Sequence, residues 1–300
     1  MSEPVKYKIA ALLACYNRKE KTLSFLDSFV KQSIFGKVPI DVYLLDDGST
    51  DGTGDAVKAN YPFVHVIASP GNLYWVGGMI EAWQYAISQK TYDLFILFND
   101  DVVLFNNAIE NLLKAYKNAG ASNTVLVGST IGKDNKISYG GNRLVLHRFK
   151  PTEYALVEPD ETQLIPCKTG NANILLVDAD TVNKIGIFSN AYIHIFADFD
   201  YTLTAHKAGV KVYIAPGYYG HCEREYFTKW LTGKQPLKAR IKYLYHTKGL
   251  GYKEHLHFVK KHYPSGYYSA LTKLWLKTLF PAIWDKFKKK DTVIESSNFK

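Results

Sequence analysis

DLFILFNDDVVL, residues 93–104, decides how the rest of the chain reads. Leu94 to Phe98 is a short unbroken run of large apolar residues, and it stops abruptly at Asn99, Asp100 and Asp101. A half-exposed strand would alternate with polar residues, so this run reads as a strand buried on both faces, as in a parallel sheet. Two adjacent carboxylates at its end need partners. In open α/β sheets that end is where ligands bind, and hard oxygen ligands beside a phosphate-bearing substrate suit Mg2+ or Mn2+. Taken alone, the stretch is equally compatible with Asn99 capping the next helix while both Asp face water.

Working outward, Lys8–Cys15 (KIAALLAC) reads as a first buried strand, with Tyr16-Asn17-Arg18 as the turn leaving its end. Asn17 and Glu20 form a capping-box variant, and Leu23, Leu26, Val30 and Ile34 follow at helical spacing. Ile40–Leu45 is the second strand and runs into Asp46-Asp47-Gly48-Ser49-Thr50-Asp51-Gly52-Thr53, a tight turn opening a helix, where backbone N–H groups favour anions or polar ligands. A third strand spans Phe63–Ile67. The glycine-rich loop Gly71–Gly78 then opens a helix over Met79–Gln89; its glycines either relieve turn strain or admit a ligand. Beyond the acidic stretch, Ala108–Tyr116 is predicted helical and Thr124–Gly128 a strand. This alternation argues a doubly wound sheet with right-handed crossovers. Residues 131–168 suggest irregular antiparallel strands covering one side of the site. Asn173–Val177 restores a strand, Asp178–Ile185 and Asp198–Lys207 are helical, and Val210–Ala215 closes near His221 and Cys222.

Three widely spaced cysteines, Cys15, Cys167 and Cys222, argue against a disulfide framework or a structural zinc and fit a reducing compartment. No apolar run is long enough to span a bilayer. The run Ile9–Cys15 is at the short limit for a signal sequence and passes directly into a helix-like pattern, so the expected location is cytoplasmic. The net charge of +9 is unevenly placed: residues 229–300 hold 16 Lys and Arg against 4 Asp and Glu, leaving 21 against 24 before them. A near-neutral body with a basic extension points to an anionic surface.

Five ordered motifs, ALLACYNR at 11–18, LLDDGSTDGT at 44–53, the Gly71–Gly78 loop, FNDD at 98–101, and FADFDYTLTAHKAGVKV at 196–212 followed by Gly220-His221, resemble the family 2 glycosyltransferases of the GT-A fold. Among them the resemblance is to bacterial rhamnosyltransferase-like enzymes of polysaccharide biosynthesis, and it covers roughly residues 7–225. It implies a Rossmann-like, mixed but mostly parallel sheet flanked by helices. The catalytic domain would be 1–228, with a nucleotide-binding half 1–104 and an acceptor-binding half 105–228, and 229–300 would be a basic helical extension. Donor contacts are implied at Cys15, Asn17, Arg18, Asp46 or Asp47, Asn72, Gly78, Asn99 and Asp100. Asp101 falls on the DxD position and, with His221, would hold Mn2+ or Mg2+ against the diphosphate leaving group. Asp198 takes the place of the general base of an inverting transfer. Two departures stand out: Asn99 replaces the first carboxylate of the DxD motif, and Ala197 replaces the Glu before the base.

The implied activity is metal-dependent transfer of a hexose or deoxyhexose from a UDP-, dTDP- or GDP-linked donor to a glycan or lipid-linked oligosaccharide, in cell-surface polysaccharide assembly. In the extension, Arg240–His262 reads as one helix. Leu271, Leu274, Trp275 and Leu279 then face away from Lys273 and Lys277, with Lys286, Lys288, Lys289 and Lys290 beyond. That pattern suits either peripheral attachment to an anionic membrane, at the inner face of the plasma membrane, or a helix packed back on the protein. Nucleic acid is not expected, for no recognition motif accompanies the charge. A DxDG phosphatase fails because Leu45, not Asp, lies two residues before Asp47, and a sugar nucleotidyltransferase would want glycine in the first loop. The alternative from another class is a non-catalytic glycan- or membrane-binding protein on a degenerate transferase scaffold, motivated by Asn99 and Ala197.

Overall fold

The computed structural model describes residues 7–147, 150–224 and 235–282. The chain divides into two units: 1–190 with 197–224, and 191–196 with 225–300.

The first unit is built on a mixed sheet. In chain order its opening elements are β1 (Ile9–Cys15), α1 (Lys19–Val30), β2 (Ile40–Asp46), α2 (Thr53–Asn60), β3 (Val64–Ala68), α3 (Tyr74–Gln89), β4 (Leu94–Phe98), β5 (Val103–Leu104) and α4 (Ala108–Asn118). There follow β6 (Thr124–Ile131), β7 (Ile137–Tyr139), β8 (Gly141–His147), β9 (Lys150–Leu156), β10 (Ile165–Pro166), β11 (Thr169–Gly170), β12 (Ile174–Asp178), α5 (Ala179–Ile185), α6 (Ala197–Lys207) and β13 (Lys211–His221). The strand order is β10-β13-β6-β12-β4-β1-β2-β3, while β8, β9 and β11 form a separate three-stranded antiparallel sheet. Strands β4, β1, β2 and β3 run parallel, β12 lies antiparallel between β4 and β6, and β13 is parallel to β6. This is the mostly parallel, doubly wound sheet expected from the alternation of strands and helices.

Every residue of β1 and β4 is buried, as the unbroken apolar runs require. Phe25, Phe29 and Phe98 pack together under α1, with ring centroids 5.3–6.4 Å apart. Three local expectations change. Asn17 does not cap α1; with φ +50 its side-chain oxygen instead accepts from Thr50 and Asp51, joining the turns after β1 and β2. Helix α3 begins at Tyr74, so Gly77 and Gly78 lie inside it. Gly78 is there because α3 presses on the sheet: a Cβ would meet Ala14 and Leu45 side chains at 3.0 Å. A donor contact is thus not what its lack of side chain serves.

The second unit contains α7 (Leu237–Tyr245), α8 (Tyr252–His262) and α9 (Tyr267–Leu279). The single helix expected over Arg240–His262 is broken because the chain folds tightly at Gly249, where a Cβ would stand 2.2 Å from the Tyr243 carbonyl oxygen. Leu244, Leu256 and Leu274 form its core, with Leu271 and Trp275 packed against them. The apolar face expected to meet a membrane is therefore largely internal. Leu279 of that face stays exposed, together with Tyr268 and Leu276 of α9 and Phe280 just beyond. Glu254 is buried, and its carboxylate accepts from the backbone N–H groups of Ile193, His194 and Ile195 at 2.9–3.1 Å. That is why 191–196, expected within the first domain, folds with these helices. Lys286, Lys288, Lys289 and Lys290 lie outside the described residues. Among the described residues no helix is long and apolar enough to cross a membrane.

Candidate active site

The sheet order gathers the site at the end of β4. Strand β1 is one neighbour of β4, so the turn after Cys15 delivers Arg18 there. Strand β12 is the other neighbour and antiparallel, so its beginning lies where β4 ends: Phe98 pairs with Ile174, and the Asn99 N–H donates to the Asn173 carbonyl at 3.0 Å. Strand β13 pairs with β5 through Gly220 and His221, which brings Cys222 alongside Asp101.

The two carboxylates are met by a full set of donors. The Arg18 Nη2 donates to Asp101 Oδ2 at 2.5 Å, and its Nη1 lies 3.3 Å from Asp100 Oδ1. Lys21 Nζ is 3.7 Å from Asp101 Oδ2. The Cys222 thiol donates to Asp101 Oδ1 at 3.5 Å, and the buried Thr22 hydroxyl donates to Asp100 Oδ2 at 3.2 Å. Burial pushes the Asp100 pKa up to about 6; Arg18 pulls it down and Asp101 raises it again. Asn99 Oδ1 is buried without a hydrogen-bond partner.

These residues do not fit a divalent cation as they stand. Asp101 is already engaged through both oxygens, and the first position of the motif offers one neutral amide oxygen. The expected second ligand is turned away: His221 is exposed and packs edge-on against Phe105 at 5.0 Å, whereas its neighbour Cys222 reaches Asp101. Among the described residues no three His, Cys, Asp or Glu side chains converge as a metal cage.

Asp198 sits in the first turn of α6, where the helix N-terminus favours a carboxylate. Its Oδ1 accepts from the Phe199 N–H at 2.8 Å, and its Oδ2 accepts from the Asn171 amide at 3.3 Å and the Ala172 N–H at 3.4 Å. Burial nevertheless raises its pKa above the ordinary carboxylate value. Asp200 is buried, and Ala197 faces the interior, where a Glu would be a buried charge.

Asn171 and Asn173 were not anticipated from the sequence. Asn171-Ala172-Asn173 is one short stretch that holds Asp198 with its first two residues and, through the Asn173 amide, Cys222 with its third. It links Asp198 to the acidic end of β4.

The remaining expected contacts divide. The Asp47 carboxylate is spent inside the protein, accepting from the Ser69 hydroxyl and the N–H groups of Leu73 and Tyr74 at 2.7–3.1 Å; it shapes the glycine loop. Asp46 accepts from the Ser49 N–H at 2.9 Å and lies beside Cys15 in the strand register. Cys15 is buried in the core, and burial pushes its thiol pKa far up, so it is a packing residue and no nucleophile. Asn72 is exposed with φ +72. Trp75 packs on Phe188 at 5.6 Å.

Comparison with known proteins then adds two findings. The family model described as glycosyl transferase family 2 matches residues 11–182. Among solved structures, the chain is similar to a mannosyltransferase from Pyrobaculum calidifontis in complex with GDP-Man and Mn2+, with a TM-score of 0.50 and 14% identity. That match covers 80% of this chain and 62% of the other, so the chain spans less than two thirds of the length of that neighbour. At such identity the likeness shows a shared fold. No curated protein sequence matches.

The raised Asp100 pKa has a consequence for stability. The folded state binds this proton more tightly than the unfolded chain, whose Asp titrates near pH 4. The contribution is therefore greatest below about pH 4 and is lost as pH rises through about 6, on the order of 2–3 kcal/mol in total. Urea unfolding of wild type and Asp100→Asn between pH 4 and 7 should show the wild type losing stability relative to the variant. Parallel curves would contradict this.

Proposed function

The chain belongs to glycosyl transferase family 2, and on that premise we propose that it is an inverting transferase acting on a nucleotide-sugar donor. Its base is Asp198. The observation that carries the reading is that a carboxylate of raised pKa is fixed by Asn171 and Ala172, in the stretch whose next residue reaches the acidic end of β4. A general base wants this combination of fixed geometry and a pKa moved toward the working pH.

In the proposed step Asp198 accepts the proton of an acceptor hydroxyl as that oxygen bonds to the anomeric carbon. The bond from that carbon to the β-phosphate oxygen breaks, and the nucleoside diphosphate leaves with the electron pair. Attack from the face opposite the leaving group inverts the anomeric centre. The Asn171 amide and the Ala172 N–H keep the carboxylate aimed, and the turns after β1 and β2, joined through Asn17, supply the nucleotide end with Asp46. The expected Mn2+ or Mg2+ enters no step here, because the donor set at Asp101 does not fit it.

The donor sugar is read as a hexose or deoxyhexose on UDP, dTDP or GDP, and the acceptor as a glycan or lipid-linked oligosaccharide of cell-surface polysaccharide assembly. The resemblance in motif order supports this. Attachment to an anionic membrane is proposed through the exposed α9 face of Tyr268, Leu276 and Leu279, with Lys273 and Lys277 nearby in sequence. Their spacings of eight and three residues keep them within about 80° of one another around a helix of 3.6 residues per turn, on one side of it.

Two measurements test these statements. With a panel of UDP-, dTDP- and GDP-sugars, a donor at about 100 times its dissociation constant should stabilise the protein by about 2.7 kcal/mol. Asp198→Asn should keep that stabilisation but lose about 10²- to 10⁴-fold in turnover, and wild-type turnover should fall toward acid as Asp198 protonates. Unchanged turnover in Asp198→Asn would remove it as the base. For the membrane, the full chain should float with phosphatidylglycerol vesicles and Leu276→Glu with Leu279→Glu should not. Equal flotation of the two would exclude this face.

A further inference from the structure

The acidic end of β4 already has a cation, and it is covalently part of the chain. Arg18 puts two guanidinium nitrogens on the two carboxylates, 2.5 Å from Asp101 Oδ2 and 3.3 Å from Asp100 Oδ1, and Lys21 adds a second positive charge 3.7 Å from the same Asp101 oxygen. Two acids against two bases leave no net negative charge to draw a dication. The other carboxylate oxygens are taken by Cys222 and Thr22.

Resting on the transferase reading, we propose that Arg18, supported by Lys21, stands in the place of a divalent metal and is the cationic partner of the donor's diphosphate. Three observations support it together. The motif has lost its first carboxylate to Asn99, which would weaken a metal site but leaves an arginine site intact. A guanidinium presents five N–H groups in a planar fork that suits carboxylate and phosphate alike, and it keeps its charge at any working pH. The Arg18 side chain remains 30% exposed even while paired, whereas those of Asp100 and Asp101 are 3% and 10% exposed. The arginine is thus the reachable member of the group, held by acids beneath it. Its position after β1 also lies at the end of the parallel strands where ligands bind in open α/β sheets.

In this arrangement Asp101 and Asp100 are positioning residues: they orient the guanidinium instead of ligating a metal. A phosphate oxygen meeting Arg18 gains a charge-assisted hydrogen bond. No bond is made or broken by Arg18 itself.

The experiment has two arms, each on the full chain. In the first, Mn2+ alone is titrated into wild type, Arg18→Ala and Arg18→Met, and free Mn2+ is followed by electron paramagnetic resonance. The expected result is no saturable binding to wild type and a gain of about tenfold or more in Mn2+ affinity when the arginine is removed. Arg18→Met keeps the bulk of the side chain, so a folding defect confined to Arg18→Ala does not obscure the outcome. Saturable Mn2+ binding to wild type, unchanged by either variant, would overturn the proposal. In the second arm, UDP, dTDP and GDP are tested by thermal shift in EDTA and in Mn2+. The nucleotide that binds should stabilise wild type equally in both, and Arg18→Met should weaken it about tenfold or more. Binding that requires Mn2+ overturns this inference and leaves the transferase reading standing. Binding of no nucleotide under either condition overturns both.

Discussion

Two carboxylates stand side by side at the end of a strand buried on both faces, and the first unit is arranged to make that tolerable. Like charges so close raise each other's pKa unless cations or hydrogen-bond donors compensate. Each neighbour in the sheet contributes. Strand β1 releases Arg18, α1 adds Lys21 and Thr22, Asn173 just before antiparallel β12 stands opposite Asn99, and β13 delivers Cys222. Without antiparallel β12 between β4 and β6, the Asn171–Asn173 stretch would not begin at this end of the sheet. Asp198 would then lose the Asn171 and Ala172 donors. Topology, charge compensation and the placement of Asp198 are thus one problem with one solution.

Much of this was legible in the residues. The fully buried strands announced themselves as unbroken apolar runs, and the alternation with helices gave the doubly wound sheet. What the linear chain could not disclose is which polar groups consume one another. Asp46 and Asp47 are adjacent and chemically identical, yet Asp47 is spent on holding the glycine loop while Asp46 lies beside Cys15. Asn17 looked like a helix cap because capping is a local pattern, but its actual partners, Thr50 and Asp51, come from the next strand's turn. Gly78 looked like a ligand glycine and is a packing glycine, a distinction that requires knowing how close α3 comes to Ala14 and Leu45.

The second unit teaches the same lesson about faces. Periodicity identified α9 as amphipathic, but it could not tell which side meets protein. Leu274 with Leu271 and Trp275 packs on Leu244 and Leu256, and Arg240 binds the carbonyls of Thr278 and Leu279 at the helix end, at 2.6 and 3.2 Å. The helix therefore has an inner apolar side and an outer one, and charge alone did not separate them. Glu254 shows the converse: a charged residue that reads as solvated is buried because three backbone N–H groups surround its carboxylate.

The central claim is that the ends of β1, β2 and β4, together with Asn171–Asn173, form one donor-binding site. Amide hydrogen exchange with the stabilising nucleotide-sugar bound and absent tests it directly. The account predicts protection of residues 16–22, 46–53, 99–102 and 171–173 together. Protection confined to other segments, or to only one of these four, would contradict it.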